Sequence, residues 1–296
     1  MTTTATTNAS TSTTVRASSR AQLIALRAAF AVLDRVAPPL AARWALDIWC
    51  TLPKGSGRRR DARPSEGVRA DLTTAPGRRL AVEVWGEGPP VYLAHGWGGW
   101  RGQMGAFVTP LVESGHRVVA FDAPGHGDSD PGALGRRRGN AAEFAQALGQ
   151  VIEAQGPAAG VVAHSLGGAT AALAVRDGAP VSRLALIGAS PDPIGMTDTL
   201  SGLLGYGERT KGRFLARLEE LARRPLADFD LTSVSRVAAD TLIVHDRQDK
   251  EVPYAEGARL AEAWLSAELV TTTGLGHQRI LADPTVIERV RHFVTS

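Results

Sequence analysis

The sequence predicts an α/β protein built around one mostly parallel sheet, and three observations support this fold class. Apolar runs of strand length alternate with helix-like segments over most of the chain, which is typical of parallel strands joined by helices. Glycine-rich or acidic turns follow the ends of these runs, where the functional loops of such a sheet collect. The 296 residues, 44% of them hydrophobic, suffice for one large core.

An N-terminal region precedes this alternation. Residues 1–19 are dominated by Thr, Ser and Ala, so we expect a disordered tail. Residues 20–67 are expected to form a helical extension and a linker. Apolar residues recur there at helical spacing on both sides of Pro38 and Pro39, and a stretch rich in Gly, Arg and Pro follows.

The helices of this extension allow more than one role. Charged residues such as Arg27 and Asp34 interrupt any run long enough to span a bilayer, so we expect no stable membrane insertion. A helix on a membrane surface stays open as an alternative, because the first helix is cationic up to Asp34. We favour packing on the main domain or, in a homo-oligomer, on a partner subunit.

Residues 68–296 are expected to form the main domain. Val68 to Thr73 and Arg79 to Trp85 predict an antiparallel hairpin that turns at Pro76 and Gly77. Six apolar runs predict the remaining strands, at residues 91–94, 117–121, 160–163, 184–187, 241–244 and 268–272.

Residues 191–240 break the alternation of strands and helices. Two helix-like stretches, Met196 to Leu204 and Arg209 to Arg223, occur there without a convincing strand. Because functional loops of an α/β sheet lie at the carboxyl ends of its strands, we expect this segment to form a small helical lid there. Its apolar side chains predict an apolar acyl pocket or, equally well, simple packing of the lid.

Composition excludes several functions. The formal net charge is +3, and the arginine clusters are not interleaved with aromatic residues, so nucleic acid is not an expected partner. The single cysteine, Cys50, is interpreted as a packed apolar residue and permits no internal disulfide, which favours a cytoplasmic location. Because no His, Asp or Glu pair has the helical spacing of a zinc site, we expect no metal.

Ser165 is the candidate nucleophile. It follows the apolar run that ends at His164 and precedes a helix of small residues, the arrangement that exposes a serine hydroxyl beside a helix N-terminus. Gly167 supplies the small residue that such a turn needs after the serine. Ala163 stands where the G-x-S-x-G pattern has glycine. Taken alone, the segment equally fits a helix start capped by Ser165.

Four further segments extend this pattern. Two are turns after strands, one is a histidine-bearing loop and one is an acidic turn; they read HGWGG at 95–99, DAPGHGDS at 122–129, HDRQD at 245–249 and GLGH at 274–277. Together with AHSLGG at 163–168, these segments resemble the α/β-hydrolase fold family, serine-esterase type, in the order typical of that family. The resemblance implies a mostly parallel twisted sheet with an antiparallel N-terminal hairpin, helices on both faces and a lid.

The resemblance also implies roles for individual residues. The order Ser165, Asp249, His277 corresponds to nucleophile, acid and base. His277 takes the serine proton, Asp249 orients the imidazole, and the backbone N–H groups of Trp97 and Leu166 bind the oxyanion.

Other residues compete for these roles. Asp246 is a rival acid, but Asp249 is favoured because it precedes an apolar residue and Pro253, as the family's acid does. His95, His126 and His164 are interpreted as loop-bracing residues.

The predicted function is a cofactor-independent serine hydrolase that cleaves a carboxylic ester of a small-molecule substrate. The same triad also permits cleavage of thioester, amide or C–C bonds, or perhydrolysis, and a non-catalytic ligand-binding protein is a third hypothesis. The serine excludes epoxide hydrolases and haloalkane dehalogenases, which need an aspartate at position 165.

Overall fold

The computed structural model describes residues 8–53, 60–74, 77–233, 237–264 and 266–296, with residues 8–19 described by their backbone alone. The strands are β1 Val68–Arg69, β2 Leu72–Thr74, β3 Arg78–Leu80, β4 Val82–Trp85, β5 Pro90–Ala94, β6 Arg117–Phe121, β7 Ala158–His164, β8 Val181–Ile187, β9 Asp240–Asp246 and β10 Glu268–Thr272. The α-helices are α1 Asn8–Val36, α2 Pro38–Cys50, α3 Val108–Glu113, α4 Ala141–Gln155, α5 Leu166–Arg176, α6 Met196–Leu204, α7 Glu208–Ala222, α8 Tyr254–Ala263, α9 Gly276–Arg279 and α10 Pro284–Thr295.

The chain divides into two compact units. The helical unit contains the described residues up to Trp49 together with Gly195–Arg223, and therefore α1, α2, α6 and α7. The sheet unit contains the described residues of 50–194 and 224–296, and therefore every strand.

The main sheet has eight strands in the order β1-β4-β6-β5-β7-β8-β9-β10. The strands from β6 to β10 in this order are all parallel, whereas β4 pairs antiparallel with both β6 and β1. This is the mostly parallel sheet with an antiparallel edge that the sequence predicts.

Each central strand is buried on both faces. Along β5, Tyr92 and Ala94 belong to one hydrophobic cluster, and Val91 and Leu93 belong to the other. Helices α4, α5 and α8 contribute to the first cluster, and α3 and α10 contribute to the second. Because a strand with two apolar faces needs a cover on each, the helices lie on both sides of the sheet.

The predicted hairpin is present but interrupted. Strands β2 and β3 form a separate two-stranded sheet, while β1 pairs with β4 in the main sheet. At the interruption, the Asp71 carboxylate accepts the Val82 N–H at 3.1 Å, so a side-chain oxygen takes the place of a backbone carbonyl in the pairing of the two strands. Gly77 is a turn residue with φ 86°. Pro76, the other predicted turn residue, lies outside the described residues.

The helical unit joins two segments that are distant in the sequence. Phe30 of α1 stacks on Trp44 of α2, with ring centroids 4.7 Å apart. Arg27 donates from Nη1 to two carbonyls at the end of α6, each at 2.7 Å, and Asp34 accepts the N–H of Thr210 in α7 at 3.3 Å. The C-terminal end of α6 thus receives a positive charge and the N-terminal end of α7 a negative charge, which are the signs that the helix dipole favours. None of the described helices combines the length and apolar character needed to cross a membrane.

The domain boundaries of the sequence analysis remain predictions. Helices α6 and α7 lie in the segment 191–240 that we expect to form a lid. The expected disordered tail falls on residues 1–7, outside the described residues, and on the first part of α1.

Candidate functional site

Ser165 occupies a sharp turn between β7 and α5. Its backbone has φ 55° and ψ −125°, a region that few residues other than glycine adopt. Glycines permit the turn: a Cβ at Gly167 would lie 2.4 Å from the His95 carbonyl oxygen, and a Cβ at Gly168 would lie 2.7 Å from the Ala189 Cβ. The strained serine is therefore held by close packing on its helical side.

Ala163, the departure from the glycine pattern, is fully buried in β7. It pairs in register with Ala94 of β5 and Leu186 of β8 and belongs to one of the two core clusters. The extra methyl group is thus part of the core beneath the serine turn.

The HGWGG turn lies directly against Ser165. A Cβ built on Gly96 would be 3.0 Å from the Ser165 Cβ. The Gly99 N–H donates to the Gly96 carbonyl at 3.0 Å, which closes a β-turn with Trp97 in its middle and Gly98 at φ 67°. The two candidate oxyanion donors, the N–H groups of Trp97 and Leu166, therefore belong to the residues that follow Gly96 and Ser165.

His95 fastens this turn to the loop after β6. The Ala123 N–H donates to His95 Nε2 at 3.1 Å, so Nε2 carries no proton and Nδ1–H donates to the Gly96 carbonyl at 2.8 Å. Burial lowers the pKa of His95 to about 4, which keeps the ring neutral. The His126 ring lies 5.0 Å from that of His95 and 5.4 Å from that of Trp97, and burial lowers its pKa to about 3.

Asp249 and His277 are brought together. His277 Nδ1 lies 2.6 Å from Asp249 Oδ2, and Asp249 Oδ1 accepts the N–H groups of Glu251 and Val252, each at 2.8 Å. Burial acts to raise the pKa of Asp249, but hydrogen bonds from His277 and from the backbone outweigh it and leave the pKa below its ordinary value. Asp249 is therefore a buried, ionised acceptor for the imidazole.

Asp246, the rival acid, has a different set of partners. Its Oδ1 accepts the Gln248 N–H at 2.9 Å, and its Oδ2 accepts the Thr272 hydroxyl at 2.8 Å and the Leu275 N–H at 3.0 Å. Both carboxylate oxygens are used, and none of these partners is the His277 ring. The structure thus pairs His277 with Asp249, the acid that the sequence analysis favours.

Two buried histidines flank the Asp249–His277 pair. His164 donates from Nε2 to the His277 carbonyl at 2.9 Å, and the two rings lie 4.6 Å apart. Burial, together with the nearby His277, lowers the pKa of His164 to about 3. On the other side, His245 Nε2 lies 3.6 Å from Asp249 Oδ2 and hydrogen-bonds to the Val252 carbonyl at 3.0 Å.

Gly188, the residue after β8, packs against the Asp249–His277 pair. A Cβ there would lie 3.2 Å from His277 Nδ1 and 3.4 Å from Asp249 Oδ2, and the φ of Gly188 is 54°. The Ser165 N–H donates to the carbonyl of Ile187, the preceding residue, at 3.0 Å. The end of β8 thus contacts all three candidate catalytic residues. Sequence reasoning did not single out Gly188, because a glycine after a strand has no distinctive local signal.

A cavity of about 840 Å³ borders His277 on the sheet unit. Glu251 lines it, with Oε2 3.9 Å from His277 Nε2, and accepts hydrogen bonds from Gln278 Nε2 at 3.0 and 3.2 Å. Gln278 Oε1 in turn accepts from Gln103 Nε2 at 2.9 Å. In the part of the chain that is described, no cluster of His, Cys, Asp and Glu could hold a metal ion.

Comparison with known proteins identifies relatives of this chain. A family model described as alpha/beta hydrolase fold matches residues 89–237, and one described as TAP-like protein matches residues 224–296. A non-heme chloroperoxidase of Streptomyces lividans is 26% identical over 73% of this chain and 95% of that protein. A pimeloyl-[acyl-carrier protein] methyl ester esterase of Nitrosospira multiformis is 34% identical over 42% of this chain, and the match spans only 47% of that protein.

Solved structures share the fold. An esterase from Exiguobacterium antarcticum superposes with a TM-score of 0.59 at 20% identity, covering 77% of this chain and 100% of that one. A bromoperoxidase from Bacillus anthracis gives a TM-score of 0.58 at 20% identity over the same shares of the two chains. At such low identity these likenesses concern the fold alone.

Proposed function

The chain belongs to the α/β-hydrolase fold family, and on this premise we propose that it is a serine hydrolase. Its substrate is a carboxylic ester of small or medium size and apolar character, cleaved through an acyl-enzyme on Ser165. One observation carries the proposal: the strained Ser165 touches the HGWGG turn on one side and, through its neighbours, the Asp249–His277 pair on the other.

The first half of the reaction transfers the acyl group. Because Asp249 accepts the proton on Nδ1, His277 offers an unprotonated Nε2 to the serine hydroxyl. Ser165 Oγ attacks the carbonyl carbon while Nε2 takes its proton. The N–H groups of Trp97 and Leu166 bind the resulting oxyanion, an interaction worth about 3 kcal/mol per donor in comparable sites. The alcohol then leaves with the proton from Nε2.

The second half regenerates the enzyme. Water replaces the alcohol, gives one proton to His277 Nε2 and attacks the acyl carbon. When the second tetrahedral intermediate collapses, the acid leaves and the proton returns to Ser165 Oγ. Nε2 thus passes on each proton that it takes, the first to the alcohol and the second to Ser165, and no redox partner or cofactor is required.

The relatives' names agree with an ester substrate in one case and do not choose a single reaction. One is named for a methyl ester and another for a peroxidase reaction, so thioester, amide and C–C cleavage and perhydrolysis remain the alternatives. Tyr206 and Phe214, two of the apolar side chains between 191 and 240, are buried and pack against Phe30 and Trp49.

We further propose a cytoplasmic location, in keeping with the single cysteine.

Replacement of Ser165 tests the proposal. Ser165→Ala is expected to abolish hydrolysis of p-nitrophenyl esters and labelling by a fluorophosphonate probe, since no other hydroxyl occupies the turn. Ser182→Ala, at an exposed serine of β8, serves as the matched control and should keep both. Undiminished labelling of the Ser165→Ala protein would refute the assignment. A series of acyl chain lengths, run beside amide and thioester analogues, then identifies the preferred bond and substrate size.

A further inference from the structure

We propose that Asp246 is a positioning residue of the active site. Its buried carboxylate fastens the loop before α9, the helix that carries His277, to the turn that carries Asp249, and so sets the geometry of the His277–Asp249 hydrogen bond. The inference deepens the proposed function and rests on it wherever turnover is the readout.

We call the contacts of the Asp246 carboxylate with the two segments the clamp. The segments need such a link because backbone pairing between β9 and β10 ends before Asp249 and His277. Strands β9 and β10 are parallel, and their last paired residues are Asp246 and Thr272. Asp249 lies beyond this last pair in the turn after β9, and His277 lies in the short helix α9, after the loop that follows β10. Strand pairing alone therefore does not fix the distance between the acid and the histidine.

Side-chain oxygens continue the connection beyond the strands. Asp246 Oδ2 accepts the Thr272 hydroxyl at 2.8 Å and the Leu275 N–H at 3.0 Å, both from the histidine side. Its Oδ1 accepts the Gln248 N–H at 2.9 Å, from the aspartate side. One carboxylate thus binds both loops, and Leu275 is only two residues from His277.

A second contact supports the first. Gln248 Oε1 accepts the Gly274 N–H at 2.5 Å, and the Arg247 N–H donates to the Thr272 carbonyl at 2.9 Å. These bonds join the same two loops, so Asp246 works within a small network. Among its members, Asp246 alone brings a negative charge to the donors.

The charge explains why an aspartate suits this position. Asp246 is fully buried. Burial acts to raise its pKa, but the N–H groups of Gly276 and Leu275 and the Thr272 hydroxyl outweigh burial and leave the pKa below its ordinary value. An ionised carboxylate accepts hydrogen bonds about twice as strong as those of a neutral acceptor. An asparagine would direct an N–H₂ group toward at least one of these donors.

The test uses Asp246→Asn and Thr272→Val, with Thr271→Val as the matched control. Thr271 belongs to the same strand, but its hydroxyl pairs with the Tyr254 hydroxyl at 2.8 Å, away from the clamp. The first readout is the downfield ¹H NMR signal of the proton between His277 Nδ1 and Asp249, assigned by its loss in His277→Gln. The second is kcat and KM for an ester substrate.

In Asp246→Asn we expect the downfield signal to shift or broaden and kcat to fall about 100-fold, with KM little changed, because a displacement near 1 Å has this effect on rate. Thr272→Val, which removes one donor and leaves the charge in place, should lose several-fold in kcat. Thr271→Val should match the wild type in both readouts.

A folded Asp246→Asn protein with the wild-type signal and kcat would overturn the proposal. If that variant does not fold, Thr272→Val decides, and an unchanged signal there counts against the clamp. The NMR readout needs no turnover, so it still tests the clamp if the protein proves not to be a serine hydrolase.

Discussion

His277 Nδ1 lies 2.6 Å from Asp249 Oδ2, and this bond joins the segments that follow two neighbouring parallel strands, β9 and β10. Because Nδ1 is occupied, the imidazole presents Nε2 as its remaining basic nitrogen. The serine turn, Asp249 and His277 thus lie beyond the carboxyl ends of β7, β9 and β10, where an open α/β sheet places its functional groups.

Loss of the acid should leave the fold intact and remove most of the activity. In Asp249→Asn, the amide oxygen keeps the N–H groups of Glu251 and Val252, so the N–H₂ group faces Nδ1. The wrong imidazole tautomer is then favoured, and kcat should fall by roughly 10⁴. Ester hydrolysis at saturating substrate measures this. Asp240→Asn, at the exposed start of β9, should retain wild-type activity; an equal loss in both variants would argue against a specific role for Asp249.

Lowering the pH should destabilise the protein at pH values above those at which its carboxylates titrate. His95, His126 and His164 have pKa values of about 4, 3 and 3, lowered by burial from an ordinary value of 6.5. Below pH 6.5 the unfolded chain binds protons that the folded chain does not. The contribution of these histidines to the free energy of unfolding is therefore fully present above pH 6.5 and is lost as the pH falls toward 4. The slope is on the order of 4 kcal/mol per pH unit for the three histidines together.

Denaturant unfolding at a series of pH values measures this slope. His126→Gln removes one of the three groups and should reduce the slope by about a third. A free energy of unfolding that is level between pH 6.5 and 5 would show that these rings are protonated in the folded state.

The buried ion cluster around Arg101 should contribute strongly to stability. Arg101 contacts Glu83 at 2.6 Å, Asp128 at 3.0 Å and Asp122, and both Glu83 and Asp122 are buried. Arg101→Met leaves buried carboxylates with one partner fewer, so we expect a loss of about 3–5 kcal/mol in the free energy of unfolding.

The control for this prediction is Arg78→Met. Arg78 pairs with Glu143 at 3.1 Å, but its side chain is 36% exposed, so its loss should cost under about 1 kcal/mol. Chemical denaturation of both variants provides the comparison. Equal losses in the free energy of unfolding for the two variants would mean that burial does not strengthen the ion pairs of Arg101.

Gly188 should be required for the site as well as for the backbone. Gly188→Ala places a methyl group 3.2 Å from His277 Nδ1, while Gly115→Ala places one in open space, and both glycines have positive φ. The backbone strain should cost roughly 1–2 kcal/mol of stability in each. Only Gly188→Ala should also lower kcat. Thermal unfolding and ester kinetics on both variants separate the two effects, and full activity of Gly188→Ala would disprove the contact.

Much of the fold could be predicted because it follows from local pattern. Apolar runs located the six parallel strands, two of which, Arg117–Phe121 and Glu268–Thr272, coincide with the predicted residues. The hairpin was predicted as continuous, yet the Asp71 carboxylate divides it. No periodicity signals that a side chain will replace a backbone acceptor.

The sequence by itself determined the strand segments, the serine turn and the order Ser165, Asp249, His277, since each is a short-range pattern of residue types. Only the tertiary structure decided which carboxylate meets the imidazole and what the other one binds. It also decided that α1 and α2 join α6 and α7 in one unit. These outcomes depend on contacts between segments far apart in the chain, and the distance between two such side chains is set by packing and hydrogen bonding in the folded state.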